Sequence, residues 1–265
     1  MILSFVKYQG TGNDFIIIDN RNKTLKNPST DVVKKLCDRR FGIGGDGLIL
    51  LEKHDEADFN MIYYNSDGNT SSMCGNGGRC IVAFANALGI IKQNTKFYGP
   101  DGIHKAEIQI DGQVRLQMAN VAMPKVVAPG YELHTGSPHL VVRERNISTI
   151  NVKEKGATFR HEPAYEEKGI NVNFMQRGDD NELIVRTYER GVEDETYSCG
   201  TGVTACAITA AFLDNKQSGE YVIKTLGGTL SVSFERKNTE YKNIWLQGPA
   251  EMVFKGEITL SNDEN

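Results

Sequence analysis

The sequence predicts a mixed α/β (α+β) chain built as two pseudo-symmetric domains, each a strand-rich shell around a central helix. Two observations lead there. Short apolar runs bounded by turn residues outnumber helical runs, and they do not alternate with helices as a doubly wound sheet requires. The chain also repeats itself. Cys74-Gly75-Asn76-Gly77 returns as Cys199-Gly200-Thr201-Gly202, each opening a helix-like segment that carries a second cysteine. Thr11-Gly12-Asn13-Asp14-Phe15 is echoed by Thr135-Gly136-Ser137-Pro138-His139, and Gly42-Ile43-Gly44 by Gly169-Ile170-Asn171. Matched segments in the same order imply two equivalent halves, parted near 120–124.

The elements follow in order. Strands are expected at Phe5–Tyr8, Phe15–Asp19, Leu48–Leu51, Phe59–Tyr64, Ile103–Ile110 and Val114–Met118. The second half adds Leu140–Arg143, Asn171–Met175, Leu183–Tyr188, Tyr221–Lys224, Thr229–Phe234 and Ile244–Gln247. Ser29 or Thr30 suits the cap of a helix over Asp31–Arg40. Gly75–Leu88 and Gly200–Asp214, rich in Ala and apolar residues, read as the two buried helices.

Composition narrows the function. The chain's 265 residues allow one large or two medium domains. A net charge of −4 argues against a nucleic-acid surface, which needs a basic stripe. No apolar run is long enough to span a membrane. Met1–Lys7 lacks a signal peptide's basic start and apolar length, so a cytoplasmic location is expected. Five cysteines without an export signal do not make a disulfide framework, and neither cysteines nor histidines show metal-ligand spacing, so no metal is expected.

Cys37, Cys80 and Cys206 sit inside helical patterns, as small buried apolar residues do. Cys74 and Cys199 differ, because each precedes Gly-x-Gly at a helix start. There the helix dipole and unpaired amides favour the thiolate. Two such thiols in two mirrored halves suit proton transfer on both faces of one carbon. One sulfur removes the α-proton of an amino acid, the other returns a proton from the opposite side, and the roles swap in reverse. The amides of Gly75, Asn76, Gly200 and Thr201 could hold the substrate carboxylate and stabilise the charge that moves onto it. No lysine stands in either glycine cluster to form a pyridoxal Schiff base, so no cofactor is expected. Gly42-Ile43-Gly44-Gly45-Asp46-Gly47 matches G-x-G-x-x-G, but it follows a helix and leads into a strand, the reverse of a dinucleotide loop.

These motifs resemble the diaminopimelate epimerase family. The similarity runs from Phe5 to about Ile258. It is carried by Gly12-Asn13-Asp14-Phe15, Asn65-Ser66-Asp67-Gly68, Met73 to Cys80, Tyr188-Glu189-Arg190-Gly191, Glu195-Thr196 and Cys199-Gly200-Thr201-Gly202. The proline racemase and hydroxyproline epimerase group, which usually has His where Asn76 stands, is less similar.

The resemblance implies a pyridoxal-independent isomerase converting LL- to meso-diaminopimelate, a step toward lysine and peptidoglycan, with Cys74 and Cys199 as the acid–base pair. It implies that Asn13, Asn65, Asn171, Glu189 and Arg190 bind the two amino-acid ends. Gly75-Asn76 and Gly200-Thr201 would bind the reacting carboxylate, while His139 and Glu189 support the cysteines. It also implies a homodimer and a last strand, near Val253–Leu260, that returns to the first domain. The domains are then 1–119 plus 252–265, and 120–251. The chemistry agrees: Arg190 offers a fork for a distal carboxylate, and Glu189 an acceptor for an ammonium.

The chain departs from the family pattern at three places. Ser137 stands where the family commonly has Asn, Asn69 where it has Ser, and Gly47 where some members have Gln. Two other readings stay open: a same-fold racemase or epimerase of another amino acid, and a non-enzymatic amino-acid binder or thiol switch. A binder has no need of two such cysteines, and a switch none of the amide cradles.

Overall fold

The computed structural model describes residues 1–70 and 73–260. The chain forms two compact units, Met1–Leu116 with Pro249–Asn265, and Gln117–Gly248. The sequence reading places both boundaries a few residues later.

The first unit holds strands β1 (Ile2–Gly10), β2 (Asn13–Asp19), β3 (Gly47–Glu52), β4 (Phe59–Asn65), β5 (Asn94–Gly99), β6 (Gly102–Ile108) and β7 (Val114–Gln117). Its helices are α1 (Thr30–Cys37) and α2 (Gly75–Ala87). β1 pairs antiparallel with β2 and with the last strand of the chain, Glu251–Thr259. β2 and β3 are parallel, β3 and β4 antiparallel, and β4 and β5 parallel.

Every residue of β3 is buried because helices cover both faces. Leu48 and Leu50 join the cluster with Val33 and Leu36 of α1, while Ile49 lies beside Gly77 of α2. The alternation of a strand thus divides one apolar run between two helices. Ser29 caps α1 by accepting from the Val32 N–H at 3.3 Å. The helix ends at Cys37, short of the expected Arg40, because the following loop folds back onto its last carbonyls.

The second unit holds β8 (Val121–Ala122), β9 (Lys125–Val127), β10 (Gly130–His134), β11 (Pro138–Arg143), β12 (Asn171–Arg177), β13 (Glu182–Glu189) and β14 (Asp194–Thr196). It continues with β15 (Ser218–Thr225), β16 (Gly228–Lys237), β17 (Glu240–Gly248), helix α3 (Val152–Arg160) and helix α4 (Gly200–Leu213). The last strand of the chain is β18. β11 and β12 are parallel, and β12 and β13 antiparallel, so the β2–β3–β4 pattern recurs. One face of these strands, with Leu140, Val142, Val172 and Phe174, packs on Val152 of α3. The other, with Val141 and Met175, packs on the buried residues of α4.

The ladders correct one expected equivalence. Phe15 pairs with Gly47 in the first unit, and His139 with Asn171 in the second. Both steps are 124 residues (139 − 15 and 171 − 47), so Asn171 corresponds to Gly47 rather than to Gly44. Strand register, not glycine spacing, sets the match.

Candidate active site

Cys74 and Cys199 occupy the same place in their units. Each is the N-cap of the buried helix, in extended backbone, at φ −103°, ψ 122° and φ −119°, ψ 112° respectively. The first intrahelical bonds run from Gly78 N–H to the Cys74 carbonyl and from Val203 N–H to the Cys199 carbonyl. The amides of Gly75, Asn76 and Gly77, and of Gly200, Thr201 and Gly202, therefore precede the first i to i−4 bond. They form the donor-rich end of each helix, where an anion is favoured.

In the first unit Asn13 sits beside the cysteine. Its Oδ1 is 3.6 Å from Cys74 Sγ and accepts from Asn76 Nδ2 at 3.3 Å. Its own Nδ2 donates to Asp46 Oδ2 at 2.7 Å, which fixes the amide with oxygen toward the sulfur. Arg39 holds Asp46 at 2.7 Å and forks onto Asp14 at 2.6 and 2.9 Å; Lys7 reaches Asp14 at 2.7 Å and also the Gly44 carbonyl. Asn65, half-buried, ends β4 in a turn that returns through Gly68 N–H to the Asn65 carbonyl at 2.9 Å. Arg79 is fully buried in α2 and donates to the Gly75 carbonyl, Thr11 Oγ1 and the Pro249 carbonyl.

This ion cluster responds to acid. Burial alone raises the Asp14 carboxyl, but hydrogen bonds and charge from Arg39 and Lys7 outweigh it and bring the pKa from 3.8 to about 2. A depressed folded-state pKa supplies stability that is present above the ordinary value and is lost as pH falls through the folded one. Asp14→Asn is therefore expected to be less stable than wild type at pH 7 and to show a flatter loss from pH 4 to 2. Urea midpoints across that range check it; equal slopes in the two proteins would remove Asp14 as the source.

In the second unit His139 is buried and central. Its Nε2 lies 2.9 Å from Ser137 Oγ and 2.9 Å from Thr201 Oγ1, and its Nδ1 lies 2.9 Å from Asn173 Nδ2. Thr201 Oγ1 is 3.4 Å from Cys199 Sγ. Burial, then the charges of His134 and Arg190, push the imidazole down to about 3, so the ring is neutral. Asn171 donates from Nδ2 to Ser137 Oγ and the Pro138 carbonyl and accepts the Arg190 N–H at 2.9 Å. Glu189 ends β13, half-buried, and the exposed Arg190 side chain donates to the Lys168 carbonyl at 2.7 Å.

Each unit thus gathers its own predicted residues at one helix start: Asn13, Gly75 and Asn76 around Cys74, and His139, Asn171, Gly200 and Thr201 around Cys199. Asp46, Asn173 and Thr187 support these groups and were not singled out by sequence. Asp46 lies in the G-x-G-x-x-G match, which the sequence weighs only against a dinucleotide loop. Asn173, the ladder partner of Val141, had a signal in its place beside Asn171 on the polar positions of the alternating segment Ile170–Met175.

The family model described as diaminopimelate epimerase matches residues 5–124 and 131–253. The chain belongs to the diaminopimelate epimerase family. It is 50% identical over 256 residues to the diaminopimelate epimerase of Flavobacterium psychrophilum, covering 97% of this chain and 100% of that one. It is 41% identical over 259 residues to that of Chlorobaculum tepidum, covering 95% and 99%. Among solved structures, a PhzF-family phenazine biosynthesis protein of Bacillus anthracis superposes with a TM-score of 0.74 at 13% identity, covering 98% of this chain and 100% of that one. A hydroxyproline epimerase of Agrobacterium vitis gives 0.72 at 14% identity, covering 99% and 94%. These two likenesses concern the fold: it is the two-unit α/β fold of the epimerase family, as the internal repeat predicts.

Proposed function

We propose that this chain is an isomerase that interconverts LL- and meso-diaminopimelate, with Cys74 and Cys199 as its acid–base pair. The observation that carries the reading is the pair of cysteine N-caps, one on the buried helix of each repeated unit, in a chain of this family. The thiolate takes the α-proton: the C–H bond breaks, an S–H bond forms, and the electron pair passes into the carboxylate. The other thiol then gives its proton to the opposite face, so an S–H bond breaks and a C–H bond forms. The sulfurs end with their protonation states exchanged, ready for the reverse reaction. The α-carbon of an amino acid is a weak acid, so the charge that reaches the carboxylate must be met by fixed donors. The helix-start amides Gly75-Asn76 and Gly200-Thr201 suit that role.

Asn13, Asn65, Asn171, Glu189 and Arg190 are proposed to recognise the two amino-acid ends of the substrate. A cytoplasmic location and a homodimer belong to the same proposal; the exposed apolar side chains Met252, Val253 and Phe254 of β18 are surface that a second copy could cover. Among the described residues no helix is long and apolar enough to cross a membrane.

Incubation in deuterated water tests the reading. The α-proton of LL- or meso-diaminopimelate is expected to exchange, with inversion, without added pyridoxal phosphate or metal. Exchange confined to another amino acid in a small panel would move the chain to a same-fold racemase. No exchange with any of them would overturn the enzymatic reading.

A further inference from the structure

Beneath the start of α4, a series of hydrogen bonds leads from β12 to Cys199. Asn173 is fully buried, and its amide can sit only one way. The Leu140 carbonyl, 3.4 Å from Nδ2, can only accept, so the NH2 group must face it; Thr187 Oγ1 donates to Oδ1 at 3.0 Å on the other side. The same NH2 meets His139 Nδ1 at 2.9 Å, which makes Nδ1 the bare, accepting nitrogen. A neutral ring with bare Nδ1 carries its hydrogen on Nε2. That hydrogen points at the hydroxyls of Ser137 and Thr201, which are 3.1 Å apart.

A second donor enters the hydroxyl pair. Asn171 Nδ2 donates to Ser137 Oγ at 3.2 Å, its orientation set by the Arg190 N–H on its Oδ1. With N–H groups directed into the pair from two sides, the hydroxyl hydrogens are free to point onward, and Cys199 Sγ lies 3.4 Å from Thr201 Oγ1. The opposite His139 tautomer would present a bare Nε2. It would draw a hydroxyl hydrogen back toward the ring and away from the sulfur.

We propose that Asn173 is a positioning residue for Cys199: it holds His139 as the Nε2–H tautomer and so turns the Thr201 hydroxyl toward the sulfur, where it stabilises the thiolate. This rests on the reading of Cys199 as one half of the acid–base pair. The arrangement also accounts for Gly202. A Cβ there would lie 2.2 Å from Asn173 Oδ1, so the second glycine of Cys-Gly-Thr-Gly lets the helix settle on the Asn173 amide.

Nitrogen-15 NMR of the histidines and alkylation of Cys199 at pH 8, followed by peptide mass spectrometry, test the proposal without substrate. Wild-type His139 is expected to give the Nε2–H pattern. Asn173→Asp supplies a carboxylate that accepts from Nδ1–H, as in a Ser-His-Asp triad, and reverses the tautomer. Cys199 is then expected to alkylate about tenfold more slowly, as one pKa unit's rise in a thiol brings, while Cys74 is unchanged. kcat falls and KM changes little.

In a Thr201→Val background, which removes the hydroxyl that joins the ring to the sulfur, Asn173→Asp is expected to have no further effect on alkylation. An Nδ1–H signal in wild type overturns the proposal even where the Asp variant fails to fold. So does a reversed tautomer that leaves Cys199 alkylation unchanged, or an undiminished Asn173→Asp effect in the Val background. Because these readouts need no turnover, an inactive protein with the expected tautomer and alkylation would sink the epimerase reading and leave the relay standing.

Discussion

Replacing either Cys74 or Cys199 by alanine is expected to lower epimerisation by about 10²–10⁴-fold, the range that a positioned acid or base contributes, while substrate still binds. The two variants should also differ in what they keep. With Cys74 gone, the Cys199 thiolate can still take a proton from its own face of the α-carbon and return a deuteron to that face. Cys74→Ala is therefore expected to exchange the α-proton of one stereoisomer without inverting it, and Cys199→Ala to do so for the other. A single-base enzyme behaves otherwise: one variant would lose all exchange and the other would lose none. Exchange followed by proton NMR, with stereoisomers separated chromatographically, distinguishes the cases. Inversion by Cys74→Ala within tenfold of wild type would end the two-base reading. Binding should survive because the helix-start amides belong to the backbone and alanine at an N-cap leaves them in place. Neither Cys74 nor Cys199 caps its helix with a side-chain hydrogen bond, so the loss of helix stability should be small.

The two cysteine N-caps were legible because the pattern is local: a cysteine before Gly-x-Gly, twice, at matching places. The groups that orient them were not. Asn173 stands in a strand that alternates asparagines with apolar residues, and only the fold brings its amide to His139. Ser137 looks like the loss of a contact beside the family pattern, yet its hydroxyl completes the ring of bonds with His139 and Thr201.

Helix α3 was missed although its cap is present in the sequence. Asn151 accepts from the Glu154 N–H, the Asn-x-x-Glu signal of a helix start. The helix buries only Val152 and Gly156, so its apolar period is too weak to find. Strand β5 escaped for a similar reason. Only alternate residues Thr95, Phe97 and Gly99 are buried, and the outer face is polar.

Gly42→Ala is expected to destabilise the first unit by about 2–3 kcal/mol, the cost of an overpacked site that cannot relax. A Cβ at Gly42 would lie 1.8 Å from the Lys35 carbonyl oxygen and 2.8 Å from that of Leu36. Both are backbone atoms in the last turn of α1, so either the helix end or the loop has to move. The loop is not free to do so without loss. Gly42 N–H donates to the Asp38 carbonyl, Ile43 and Gly44 N–H both to Leu36, and Gly45 N–H to Cys37. These amides meet the carbonyls at the end of α1, and Asp46 N–H goes to the Asp14 carbonyl, so a sequence matching G-x-G-x-x-G spends the N–H groups of Gly42 to Asp46 on backbone rather than on a phosphate. The same loop carries Asp46, which orients Asn13 against Cys74, so the substitution should also weaken substrate binding. Gly89→Ala is the control: its φ of +71° strains any side chain, but a Cβ there meets nothing within 4 Å. That strain alone costs about 1–2 kcal/mol and should leave substrate binding unchanged. Urea midpoints and substrate titrations of the two variants decide the matter, and equal losses with unchanged binding would mean that the glycine loop owes nothing to its close approach to α1.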